Sequence, residues 1–175
     1  MSTIIIAAII ISIVTCICLI LFQLDKKQVR KTASELLNHF SKLGTENNLS
    51  FTSQEILENC IIGLDGIQKK LLILKKIDKD EYNSILLDLN EVKSCSKKTI
   101  YKRINIGTSK QERFENHIDK IVLDFDFIDD RQPVQILFFE HVTNHIFAMS
   151  ELEQKAKKWE TIVSQITNTG LKKTA

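Results

Sequence analysis

The stretch IDKIVLDFDFI, residues 118–128, carries the strongest secondary-structure signal in the chain. In a β-strand, successive side chains point to opposite faces of the sheet. Apolar and acidic side chains alternate along this stretch, with Leu123, Phe125 and Phe127 set against Asp124 and Asp126. The alternation predicts a strand with one face on a core and the other face in water.

Apolar runs on both sides of this stretch predict further strands. Asp65 and Gly66 lie between two such runs and predict a β-hairpin, because both residue types tolerate positive φ angles. The connections are short and polar and no helical pattern separates the runs, so we expect an antiparallel meander of about six or seven strands. The other predicted strands are residues 60–64, 67–74, 84–89, 99–106 and 134–139.

An amphipathic helix is predicted after the meander. Ser150 and Glu153 have the Ser-x-x-Glu spacing of a helix N-cap, and Gly170 is a helix stop. Apolar residues recur at three- and four-residue steps along one face, which also carries the single tryptophan, Trp159. We expect this helix to close one open end of a curved sheet, with Trp159 as its buried plug.

A second amphipathic segment precedes the meander and ends at Gly44. Its spacing averages about 3.5 residues, which leaves two interpretations open. The stripe docks on its own domain, or it forms a short parallel coiled coil between two copies of the chain. The residues of the stripe are Val29, Ala33, Leu36, Phe40 and Leu43.

The pattern over about residues 58–168 resembles the pleckstrin-homology-like superfold in its bacterial form. Three segments carry the resemblance: CIIGLDGIQKKLLIL (60–74), SILLDLNEV (84–92) and SELEQKAKKWETIVSQI (150–166). The resemblance implies an antiparallel β-barrel or sandwich closed by the C-terminal helix, with Trp159 packed into the barrel. It also implies a module that binds a protein, a peptide or a lipid headgroup.

From Ile4 to Phe22 the sequence is mainly apolar and contains no charged residue. Such a run is long enough for the roughly 30 Å hydrocarbon layer, and it lacks the flanks of a signal peptide, so it predicts an uncleaved transmembrane anchor. Cations follow the run at once, which places the N-terminus outside and the following domain in the cytoplasm. The cations expected at the membrane surface are Lys26, Lys27, Arg30 and Lys31.

Composition and motifs argue against several functional classes. A net charge of +2 is small for a dedicated nucleic-acid binder. The chain has no Gly-rich phosphate loop and no catalytic constellation, so we predict neither an enzyme nor a cofactor or small-molecule substrate. His141 and His145 could share a helix face but leave a zinc site incomplete, and the aspartates of 124–130 lack a calcium-loop spacing, so no metal site is predicted.

The sequence therefore predicts a mainly β protein with flanking helices (α+β) in four parts. These are an anchor (1–24), a juxtamembrane helix and connection (25–48), a pleckstrin-homology-like domain (49–169) and a basic tail (170–175). The predicted function is a membrane-tethered binding module. The alternative is a structural subunit of a membrane complex that associates through its anchor and juxtamembrane helix. The expected partners are the lipid bilayer and a protein, or a second copy bound through residues 25–44.

Overall fold

The computed structural model describes residues 15–16, 33–58, 60–78, 81–105, 114–129 and 131–171. A helix over residues 33–46, named α1 here, is followed by seven strands and a long C-terminal helix. A short 3-10 helix, Ile146–Ala148, leads into that last helix. The remaining elements are β1 (Ser53–Ile56), β2 (Cys60–Asp65), β3 (Lys70–Lys76), β4 (Tyr82–Asp88), β5 (Val92–Asn105), β6 (Phe114–Phe127), β7 (Val134–Glu140) and α2 (Met149–Leu171).

The strands form two antiparallel sheets. The four-stranded sheet has the order β1-β2-β3-β4, and the three-stranded sheet has the order β5-β6-β7. No strand pairing joins the two sheets within the described part of the chain, so the predicted closed barrel is wrong. The antiparallel meander and the C-terminal helix are present as predicted, but β4 and β7 each have a neighbour on one side only.

The two central strands of the four-stranded sheet, β2 and β3, are buried on both faces. One face contributes Ile62 and Ile73 to the main core, which it shares with the three-stranded sheet and α2. The other face packs against α1, where Leu36 and Phe40 contact Leu72 and its neighbours. Because both faces are covered, β2 and β3 read as continuous apolar runs and not as alternating ones.

The apolar stripe of α1 therefore docks on its own domain over residues 33–46. The helix continues past Gly44 and turns out of the helical path at Asn48, whose φ of 53° is left-handed. The Leu49 N–H donates to the Gly44 carbonyl oxygen at 2.9 Å, as in a helix C-cap. Gly44 instead makes room for the ring of Phe51, which would lie 2.7 Å from an added Cβ.

Helix α2 packs on the inner face of the three-stranded sheet. Trp159 is only 1% exposed and belongs to the same core as Leu123, Phe125 and Phe138. The helix begins at Met149, directly after the 3-10 turn, and the predicted cap at Ser150 is not formed. Glu153 reaches across to β5 instead, where it accepts a hydrogen bond from the ammonium group of Lys97.

The predicted wet face of β6 is wrong at Asp124, which is 1% exposed. Its carboxylate accepts hydrogen bonds from the Lys98 ammonium group on β5 and from Gln135 Nε2 on β7, the latter at 2.7 Å. β6 is the central strand, so side chains from both neighbours cover its outer face. The buried charge is stable there because it is paired and hydrogen-bonded on both sides.

The membrane prediction is also corrected. Among the described residues, no helix is both long and apolar enough to cross a membrane. α2 is long but amphipathic, and of the predicted span at Ile4 to Phe22 only Thr15 and Cys16 are described. The described part of the chain therefore does not bear out the prediction of a single-pass membrane protein with a cytoplasmic C-terminal domain, and most of the predicted span lies outside the described residues.

The β2–β3 hairpin forms where it was predicted, but by a different mechanism. The left-handed residue of the turn is Lys69, with a φ of 55°, and not Gly66. The carboxylate of Asp65 accepts backbone N–H bonds from Gln68, Ser50 and Ile67 at 2.8, 2.7 and 2.9 Å. These hydrogen bonds, with that from Gln68 foremost, lower the pKa of Asp65 below its ordinary value.

We expect Gly63→Ala to destabilise the domain. An added Cβ would lie 2.4 Å from Phe40 Cζ and 2.8 Å from Phe51 Cδ1, so α1 would have to shift away from β2. Overpacking of this kind costs about 1–3 kcal/mol. Urea denaturation followed by Trp159 fluorescence measures the change. Gly66→Ala is the matched control, because its Cβ would meet only Thr52 Oγ1 at 3.2 Å; equal stability of the two variants would contradict the close packing of α1.

Asp65→Asn should lower the free energy of unfolding at pH 7. A carboxylate with a lowered pKa in the folded state stabilises the fold above its unfolded pKa of about 3.9, and loses that effect as the pH falls through the folded value. The difference between wild type and variant should therefore shrink below pH of about 4. Asp88→Asn is the control, since its carboxylate accepts one backbone N–H, from Asn90. A difference that persists unchanged at low pH would refute this role of Asp65.

Trp159→Ala should cost about 3–5 kcal/mol of unfolding free energy, as for other large buried aromatic side chains. Lys157→Ala, at an exposed position of the same helix, should cost less than about 0.5 kcal/mol. Chemical denaturation followed by circular dichroism measures both. The fluorescence of wild-type Trp159 should be blue-shifted and poorly quenched by iodide. Red-shifted, easily quenched emission would place the indole at the surface.

Candidate functional site

A cleft opens between the β3–β4 edge of the four-stranded sheet and β7 of the other sheet. Its volume is about 510 Å³, within the range of ligand-binding pockets. It forms because the sheets diverge at the side where no strand pairing joins β4 to β7. The lining residues are Leu57, Glu58, Cys60, Ile73, Lys75, Lys76, Ile77, Asn83, Ile85, Val134, Gln135, Ile136, Leu137, Phe138, Glu140, Thr143 and Asn144.

The floor of the cleft is apolar. Ile73 and Ile85 are cross-strand partners on β3 and β4, and they belong to the main core or pack against it. Val134, Ile136 and Phe138 line the opposite wall from β7. An apolar side chain that entered the cleft would therefore be removed from water on both sides, which favours binding.

Both walls of the cleft end in a sheet edge. Within the described ranges, β4 pairs only with β3 and β7 pairs only with β6, so each presents unpaired backbone groups along its other side. The edge of β7 is the more restricted of the two, because Pro133 precedes it and Asn144 Oδ1 accepts the N–H of Glu140 at 2.8 Å. The edge of β4 is therefore the more open template for an added strand.

The rim of the cleft carries charges of both signs, but the carboxylates are engaged. Glu140 pairs with Lys120 at 2.6 Å, and Glu58 accepts a hydrogen bond from Asn144 Nδ2 at 2.6 Å. Lys75 and Lys76 have no ion-pair partner among the described residues, and Lys76 lies 5.8 Å from the centre of the Tyr82 ring. Asn144 is neutral and leaves the charge of Glu58 in place, but the two lysines outweigh it, so the net charge at the rim is positive.

Cys60 lies in the cleft wall but is not a nucleophile at neutral pH. Burial raises the pKa of its thiol to about 12, so the thiolate is scarce. Burial, together with the charges of Glu160 and Asp124, also raises the pKa of Cys95 to about 12. Both are free thiols in the structure.

The residues singled out in the sequence lie elsewhere. Lys26, Lys27, Arg30 and Lys31 are outside the described residues, and Trp159 lies in the core and does not line the cleft. The histidine beside His141 is His117 of β6 and not His145. The distance between His117 Nε2 and His141 Nδ1 is 3.0 Å. Of the aspartates considered, Asp126 bonds to Ser94 and Asp129 pairs with Arg131. No group of three or more metal-ligating side chains occurs among the described residues.

Sequence reasoning missed the cleft because its walls come from strands that are distant in the chain. The apolar residues of β3, β4 and β7 were assigned to a closed core, and nothing in their pattern shows that the sheets diverge. Lys75 and Lys76 directly follow an apolar run, and this is the local sequence signal for the cationic rim.

Comparison with known proteins found no matching family model, no matching curated protein and no matching solved structure. The structure thus defines the class of protein by itself. It is a two-sheet α+β domain with a C-terminal helix in the core and an open, apolar, positively rimmed cleft between two sheet edges.

Proposed function

We propose that the domain is a peptide-binding module that takes an extended segment of a protein partner into the cleft. The segment adds as a strand to the edge of β4, places an apolar side chain against Ile85 and Phe138, and directs a carboxylate to Lys75 or Lys76. The observation that carries the proposal is the apolar cleft, which is bordered by a sheet edge that no further strand pairs with and by two lysines without an ion-pair partner, both among the described residues.

Strand addition supplies the affinity in this proposal. Main-chain hydrogen bonds to a sheet edge bind any extended peptide, and pockets for alternate side chains give the specificity. Asn83 and Ile85, two residues apart on β4, line the cleft and so point to the same side of the sheet. An apolar residue with an acidic residue nearby in the peptide matches this surface.

We also propose a pleckstrin-homology-like module, which the sequence pattern suggested, from the order of its elements and without the closed barrel. Four strands form one sheet, three form the next, and a helix with a buried tryptophan follows. A lipid headgroup is the less favoured ligand, because Lys70 at the β2–β3 turn lies beside the Asp65 carboxylate, whereas Lys75 and Lys76 border an apolar cleft large enough for side chains.

The test uses a dye-labelled short peptide in which valine alternates with aspartate, and follows its fluorescence anisotropy with the full chain. A second peptide carries asparagine in place of aspartate, and a third is N-methylated at every peptide nitrogen. The aspartate peptide should bind about twofold to tenfold more tightly than the asparagine peptide, because exposed charge pairs contribute at most about 1 kcal/mol each. N-methylation should abolish binding, because it removes the donors that pair with β4.

Matched variants locate the binding site. Lys75→Gln with Lys76→Gln should remove the preference for aspartate, whereas Lys157→Gln with Lys158→Gln, on the exposed face of α2, should leave it unchanged. Binding that ignores N-methylation would rule out strand addition. A preference for aspartate that survives in the Lys75/Lys76 variant would rule out this cleft as the site.

A further inference from the structure

His117 and His141 form a close pair on the outer side of the three-stranded sheet. His117 is on β6, and His141 follows the last residue of β7. Their nitrogens Nε2 and Nδ1 are 3.0 Å apart, and the rings meet edge to face with 4.0 Å between centroids. The pair shares no residue with the cleft, so it is independent of the proposed peptide site.

The backbone on both sides of the pair is firmly held. The His141 N–H donates to the Asp119 carbonyl oxygen at 2.9 Å, which ties the residue after β7 to β6. One residue back, Glu140 pairs with Lys120 across the two strands. Both imidazoles are therefore presented from ordered backbone, His117 half-buried and His141 exposed to solvent.

We propose that His117 and His141 chelate a divalent transition-metal ion, with a preference for Cu²⁺. Imidazole is a favoured ligand of Cu²⁺, Ni²⁺ and Zn²⁺. At metal–nitrogen bonds of about 2.0–2.1 Å, two ligands at right angles are about 2.9 Å apart, and two ligands of a tetrahedron are about 3.3 Å apart. The observed 3.0 Å, a hydrogen-bond distance in the metal-free pair, lies within about 0.3 Å of both arrangements, and the preference for Cu²⁺ follows from the general order of affinities, in which Cu²⁺ exceeds Zn²⁺ at nitrogen ligands.

Metal binding needs only a proton shift within one ring. In the pair as it stands, one imidazole donates its N–H to the lone pair of the other. When that proton moves to the other nitrogen of the same ring, both facing nitrogens have free lone pairs. Both rings remain neutral, and water fills the remaining coordination positions. The ion would then join β6 to the segment that leads into α2.

The experiment titrates Cu²⁺ and Zn²⁺ into the full chain, with Cys16→Ser and Cys18→Ser to remove competing thiols. Electron paramagnetic resonance of the Cu²⁺ complex should show coordination by imidazole nitrogens, and Cu²⁺ should bind more tightly than Zn²⁺. His117→Asn and His141→Asn should each weaken Cu²⁺ binding by more than about tenfold, since the loss of supporting partners alone costs about 10–100-fold. Cu²⁺ should raise the melting temperature of the parent protein. It should leave the melting temperatures of the His117→Asn and His141→Asn variants unchanged.

The two other histidines of the chain are matched controls. His39→Asn and His145→Asn should leave Cu²⁺ affinity unchanged, because His39 stacks on Tyr82 and His145 lies before the 3-10 helix. Equal losses in the His145 variant and the His117 variant would overturn the proposed pair. Tighter binding of Zn²⁺ than of Cu²⁺ would overturn it as well. So would a Cu²⁺ spectrum without imidazole coordination in the protein that retains all four histidines.

Discussion

One apolar core holds together two sheets that share no hydrogen-bonded strand pair in the part of the chain that the structure describes. Trp159 and Val163 of α2 belong to this core, together with residues from the facing sides of both sheets. Hydrophobic packing is not directional, so the sheets can pack tightly around α2 and diverge at the opposite side. The cleft between β4 and β7 is a consequence of that divergence. Closing the barrel there would remove the cleft and both free edges.

Helix α2 makes polar contacts with the edge strands β5 and β1, whereas the edge strands β4 and β7 border the cleft. On β5, the backbone N–H of Lys97 donates to Glu160 of α2 at 2.9 Å, and on β1 the carboxylate of Glu55 pairs with Lys155 at 3.2 Å. An exposed edge invites pairing with other chains, and contacts of this kind protect it. Among the described residues, α2 makes no hydrogen bond or ion pair to β4 or β7, although it packs against β7, and this leaves the capacity for strand addition at the cleft.

Buried polar groups give the fold its register. Asp65 holds the β2–β3 turn against the chain after α1, and Asp124 joins β5 to β7 across β6. Among the described residues, no buried side-chain nitrogen or oxygen lacks a hydrogen-bond partner. A shift of either strand by one residue would leave a carboxylate buried without partners, which costs several kcal/mol. The carboxylates therefore select one alignment from several that the apolar side chains alone would allow.

The sequence by itself determined most of the elements, because strand alternation and helical stripes are local, but it did not predict β1 or the first half of β5. The alternation at Leu123 to Phe127 predicted β6, the apolar face around Trp159 predicted α2, and Asp65 marked its hairpin. Only the tertiary structure decided how the elements meet. The burial of Asp124, the docking of Phe40 over Gly63, the open cleft and the pairing of His117 with His141 all join residues that are far apart in the chain. No local pattern encodes these contacts, because they depend on how two sheets and two helices share one core.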